Sequence, residues 1–174
     1  MRVTIVSFVR GRSDYADAEA EFSRRLAAHT RVEQETIKSW RDETTLPARL
    51  DRAHVIGLCI DGKAFDSEGL AQHLGKLQQQ GRSHLVFVIG AADGMPLAVD
   101  QQLQERWSLS PLTFSHGLAR LLLLEVLYRS FDLLHGGGRA HRFSDDPVDR
   151  GEGCRLPRDP RLRRHDHPSP RRRP

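Results

Sequence analysis

Four strand-like runs interspersed with stretches of helical periodicity constrain this chain more than any other feature. "RVTIVSFV" (2–9), "RVEQETI" (31–37), "HVIGLCI" (54–60) and "HLVFVIG" (84–90) carry the strand pattern. The first, third and fourth are apolar on consecutive positions, which is what a strand buried on both faces requires. Helical patterns follow at 13–29, 66–81, 95–106 and 116–134. Ser13 or Asp14 suits the N-cap of the first, and Gly81 suits the stop of the second. Leu70, Leu74 and Leu77 line one face of that second helix, and Pro96 fits the first turn of the third. Strands and helices in alternation predict an α/β fold, a mostly parallel sheet with flanking helices.

The last helical stretch, "HGLARLLLLEVLYRSFDLL", is more apolar than one sheet face usually demands. Its polar positions are Arg120, Glu125 and Arg129, and the last two can pair at i, i+4. Such a helix is either fully packed within one chain or shared with a second copy.

Composition separates a body from a tail. Residues 143–174 hold nine Arg, no Lys, six acids and six of the nine prolines, and so carry +3 of the +4 formal charge. Residues 1–142 are close to neutral, with 18 basic and 17 acidic side chains. We therefore expect a domain over 1–142 and a Pro/Arg-rich disordered tail over 143–174, joined by the glycines of "HGGGRAHRF". The arginines there suit either phosphate binding or simple solvation. The opening "MRVTIVSFVRGRSD" reads as a strand rather than a signal peptide. No apolar run approaches the ~18 residues of a membrane span, and the expectation is a cytoplasmic protein without a membrane partner. Cys59 and Cys154 make no disulfide framework, and Cys154 with His165 and His167 makes no convincing zinc site, so no metal is expected.

Ligands of open parallel sheets bind beyond the C-terminal ends of the strands. The third strand ends in "LCIDGKAFDS", where Asp61-Gly62-Lys63 reads as a turn, and the fourth ends in "VIGAADGMP", with Gly90 and Gly94. Neither is a G-x-G-x-x-G or a P-loop, so nucleotide binding of those kinds is not supported. Asp61 suits a ribose grip in type, but a turn-forming Asp-Gly suits the context better. The third candidate is "WSLSPLTFSHG", rich in hydroxyls and stiffened by Pro111, which by itself reads more readily as a loop capped by Ser115 than as a ligand site.

The segments "MRVTIVSFV", "LCIDGKAFDSEGLAQHL", "FVIGAADGMP" and "WSLSPLTFSHGLARLLLLEVLYRSF" resemble the ribosomal RNA large subunit methyltransferase H family. These are small bacterial members of the SPOUT class of S-adenosylmethionine-dependent RNA methyltransferases. The resemblance runs from Met1 to about Arg142 in the family's motif order. It implies a C-terminal trefoil knot, which periodicity cannot reveal, and a homodimer. It implies S-adenosyl-L-methionine as cofactor, held by Leu58, Gly90, Leu109, Ser110, Pro111, Leu112, Thr113 and Phe114. The implied substrate is 23S rRNA in the assembled ribosome, methylated on N3 of a pseudouridine in the helix 69 loop.

Family members end in "G-x-x-Y-H-R/K", a tail implied to reach the dimer-related site. Gly137, His141 and Arg142 match it, whereas Ala140 replaces the tyrosine and 32 further residues follow. His141 is the implied catalytic residue, and Arg120 and Arg142 the implied substrate-side residues. His116 and Arg120 match the family's "H.L.R" positions. Two other readings stay open: a SPOUT enzyme acting on another RNA such as a tRNA, and a non-catalytic ribosome-binding homologue.

Overall fold

The structure is a computed structural model describing residues 1–136. His141, Arg142, the altered tail motif and the Pro/Arg-rich segment lie outside the described residues.

Five parallel strands form one sheet in the order β2-β1-β4-β3-β5. They are β1 Arg2–Phe8, β2 Arg31–Ile37, β3 His54–Ala64, β4 His84–Ile89 and β5 Glu105–Ser108. The helices are α1 Ala16–Ala27, α2 Ser67–Gln79, the single turn α3 Leu97–Asp100, and α4 His116–Leu134. The expected α/β class and parallel sheet are therefore present.

The sheet is covered on both sides, which explains its consecutive apolar runs. Val3 and Ile5 of β1, with Leu85, Phe87 and Ile89 of β4, face a core shared with α1, α2 and α4. Val6, Phe8, Val86 and Val88 point the other way, onto Leu46 and Leu50 from the connection between β2 and β3 and onto Val99 of α3. Alternate residues of one strand thus fill two separate cores. Each large buried side chain contributes roughly 1.5–3 kcal/mol, and Phe8, Phe87 and Phe131 are nearly or fully inaccessible.

α2 follows its pattern closely. Asp66 caps it by accepting from the Gly69 N–H at 2.7 Å, Leu70, Leu74 and Leu77 are buried, and Gly81 ends it at φ +79°. The start of α1 differs from expectation. Tyr15 occupies the cap position without a side-chain bond. The Ser13 hydroxyl instead donates to Glu19 Oε1 at 2.5 Å and accepts the Tyr15 N–H. A buried carboxylate there competes successfully for the capping hydroxyl.

The helix expected over 95–106 is the largest correction. Only Leu97–Asp100 is helical, and Glu105–Ser108 is strand β5. The edge of β3 supplies the reason. Gln104 donates its backbone N–H to the Val55 carbonyl at 2.9 Å, and its side-chain oxygen accepts the Val55 N–H at 2.5 Å. Pairing to an open sheet edge outweighs a weak local helical preference.

α4 packs across both α1 and α2. Leu123, Leu124, Leu127 and Phe131 are buried, and no residue from His116 to Leu133 is fully exposed. Leu118, Leu121, Leu122 and Val126 remain half-buried. Glu125 and Arg129 pair as expected.

Candidate active site

Three loops at the C-terminal ends of β3, β4 and β5 enclose a cavity of about 600 Å³. That volume lies within the roughly 300–1,000 Å³ of small-molecule sites. Each wall has its own cause in the sequence.

The first wall comes from an irregularity in β3. Leu58 and Lys63 both register with Trp107 of β5, so the four residues between them leave the ladder. Cys59, Ile60 and Asp61 consequently line the cavity. The Asp61-Gly62-Lys63 turn expected from sequence is thus an excursion within one strand. Gly62 is required by contact: a Cβ there would lie 2.5 Å from the Trp107 carbonyl carbon and 2.7 Å from its nitrogen.

The second wall is the glycine turn after β4. Ala91 and Gly94 exchange backbone hydrogen bonds at 2.7 and 2.9 Å, and Gly94 adopts φ +107°, a region that favours glycine. The turn folds back over Gly90, where a Cβ would meet Met95 Cγ at 2.9 Å and Gly94 backbone atoms at 3.0 Å.

The third wall is "SLSPLTFSH". The Ser108 hydroxyl donates to the Ser110 carbonyl at 3.0 Å, and Ser110 Oγ accepts the Leu112 N–H at 3.0 Å. The two serines therefore hold the turn's own shape. Leu109, Ser110, Leu112, Thr113 and Phe114 line the cavity. Ser115 sits at the N-cap of α4 without a side-chain cap bond.

Seven of the eight expected cofactor residues come together around this one cavity; Pro111 is not among the lining residues. Sequence reasoning missed Met95, Asp100 and Arg106 as further wall residues, because 95–106 reads as a helix. Arg106 donates from Nη2 to Asp100 Oδ2 at 2.5 Å and from Nη1 to the Cys59 sulfur at 3.4 Å. Burial pushes the Cys59 thiol up, and the nearby Arg106 guanidinium offsets this only in part.

Arg120 is elsewhere. Its Nε lies 2.9 Å from Glu19 Oε2, with both side chains largely buried. The Nε–H is not aimed at the oxygen, so that contact is coulombic. The Ser13–Glu19–Arg120 group fixes α1 to α4. Gly117 reinforces it, since a Cβ there would lie 2.6 Å from Ser13 Oγ. His116, by contrast, lines the cavity.

Behind the third wall, one carboxylate holds β5 in place. Glu105 accepts from His54 Nε2 at 2.6 Å, His73 Nε2 at 2.7 Å and Trp107 Nε1 at 2.8 Å. Burial raises the Glu105 carboxyl, yet the donors Trp107, His54 and His73 together outweigh it and hold it below its ordinary value. Trp107 packs edge-on against Phe65, His73 and Phe87. No single motif carries this group, because its members come from β3, α2 and β5.

The family model described as "Predicted SPOUT methyltransferase" matches residues 1–138. The chain belongs to the SPOUT methyltransferase family. Relatives named "Ribosomal RNA large subunit methyltransferase H" agree with that membership. The protein of Bacillus pumilus (strain SAFR-032) is 33% identical over 154 residues, covering 78% of this chain and 97% of the relative. That of Sorangium cellulosum (strain So ce56) is 47% identical over 89 residues, covering 51% of this chain and 61% of the relative. The match in this SPOUT protein spans all three loops of the cavity. Among its described residues no helix is long and apolar enough to cross a membrane.

Proposed function

We propose that this SPOUT protein transfers a methyl group from S-adenosyl-L-methionine to N3 of a pseudouridine in the helix 69 loop of 23S rRNA, within the assembled ribosome. The observation that carries the cofactor part is the convergence of Leu58, Gly90, Leu109, Ser110, Leu112, Thr113 and Phe114 on one cavity. The donor set fits the molecule. Leu58, Ile89, Met95 and Leu112 offer apolar walls to a purine, Gly90 and Gly94 let backbone come close, and Asp61 and Asp100 offer acceptors to hydroxyls. The names of the relatives support rRNA as substrate.

S-adenosylmethionine, when bound, supplies a methyl group already activated on a sulfonium. The protein's own task is then to orient, desolvate and manage one proton. The imide N3–H of pseudouridine is a weak acid and must be deprotonated to attack. In this reading His141 assists that loss and Arg142 contacts the RNA. A base in a loop can be splayed out and read on its edges. Arg120, committed to Glu19, supports the site by fixing α1 against α4.

The same reading makes the protein a cytoplasmic homodimer whose C-terminal part forms a trefoil knot. The half-buried Leu118, Leu121 and Leu122 on α4 support the dimer. The test is methyl transfer to purified ribosomes lacking the modification, with the product mapped on 23S rRNA. Methylated N3 in helix 69 is the expected outcome. Binding of S-adenosylmethionine without any transfer sinks the enzyme reading, and transfer to tRNA alone redirects it. Truncation after Arg142 and Ala140→Tyr, assayed together, measure what the altered tail does to turnover.

A further inference from the structure

The cavity carries an uneven set of charges. Asp61, Asp100 and Arg106 are the Asp, Glu, Lys and Arg side chains among its described lining residues, leaving a formal charge of −1. S-adenosylmethionine is the complement of that set, with a sulfonium and an ammonium against one carboxylate. Asp100 is already engaged by Arg106, so Asp61 is left to a cation and the second nitrogen of the Arg106 fork to the carboxylate.

The bonding of Arg106 agrees. A guanidinium presents five N–H donors in a planar fork that matches a carboxylate. Asp100 occupies Nη2 at 2.5 Å. Among the described residues Nη1 meets only the Cys59 sulfur, at 3.4 Å, and a thiol is a weak acceptor. Cys59 remains a neutral thiol, since burial pushes its ionisation up. A carboxylate entering the cavity would therefore give Nη1 a far stronger acceptor than it has. Asp100 meanwhile holds the guanidinium in one orientation, so little side-chain entropy is lost on binding.

We propose that Arg106 binds the amino-acid carboxylate of S-adenosylmethionine, oriented by Asp100. Arg106 thereby sets the site's preference for ligands that carry that group. This inference rests on the cofactor reading above and adds to it a residue and a ligand subsite.

The test compares S-adenosylmethionine with decarboxylated S-adenosylmethionine, which differs only in lacking the carboxylate, by calorimetric titration of the full chain. Arg106→Ala is expected to weaken S-adenosylmethionine by roughly 10- to 100-fold, the range of hydrogen bonds to a charged group. Affinity for the decarboxylated compound should stay within about twofold, which also shows that the variant is folded. Arg106→Gln, which is shorter and uncharged but keeps an amide donor, should behave likewise. Equal weakening of both ligands, or of neither, in both variants overturns the assignment. Failure of the unmodified chain to bind either compound instead sinks the cofactor reading itself.

Discussion

Gly62 lies flat against the backbone of Trp107: a Cβ on Gly62 would sit 2.5 Å from the Trp107 carbonyl carbon. Backbone cannot yield as a flexible side chain does. Gly62→Ala is expected to cost about 1–3 kcal/mol, the range of overpacking, by pushing β5 off β3. Because the third cavity wall follows directly from β5, affinity for S-adenosylmethionine should fall with it. Urea denaturation and calorimetric titration of the same sample check both. An unchanged midpoint would show that β3 and β5 can separate without penalty.

Glu19 and Arg120 form a pair whose side chains are 8% and 12% exposed. Removing one partner strands a buried charge, which typically costs about 3–5 kcal/mol. Arg120→Ala should therefore lower stability by about that amount, and Glu19→Gln with Arg120→Met should recover most of it. A variant that keeps full stability but loses affinity for ribosomal RNA would return Arg120 to the substrate side.

Leu112 is 70% exposed yet lines the cavity. Leu112→Ser is expected to change stability by no more than ~0.5 kcal/mol while weakening the bound ligand several-fold. Thermal melts with and without S-adenosylmethionine separate the two effects. A large drop in the ligand-free melt would contradict this placement.

Acid should weaken the fold in two stages. The His84 ring is lowered from an ordinary 6.5, first by burial and then by the charge of Arg2. Its stabilisation is complete above 6.5 and is lost as pH falls through the lower folded value. Glu105 is likewise held below an ordinary 4.5, so its contribution disappears further into acid. Melting temperature followed from neutral to acid pH should show both phases. Glu105→Gln should flatten the acid one, and His84→Asn the milder one. An unaltered acid limb in the Glu105 variant would remove that carboxylate as a cause.

Strands β1 to β4, the stretch of α4 and the three cavity segments were legible from residue pattern and family resemblance. The reason is local: burial on both sheet faces imposes consecutive apolar residues, and turns that fold back on themselves impose glycine or proline. β5 was not legible. "ERWS" has a helical run before it and only four residues of its own, and it becomes a strand because β3 offers an open edge. Arg106 as a wall residue and Glu105 as the bridge between two histidines were hidden with it.

By itself the sequence determined an α/β body with a parallel sheet, since side-chain periodicity reports directly which faces are buried. It also determined membership in the SPOUT methyltransferase family. Only the tertiary structure decided that Asp61-Gly62-Lys63 is an excursion rather than a turn. It also decided that Ser13 serves Glu19 instead of a helix end, and that Arg120 is taken up by that same carboxylate. Each of those outcomes depends on a partner distant in sequence or on competition for one donor, and pattern along a chain carries no record of either.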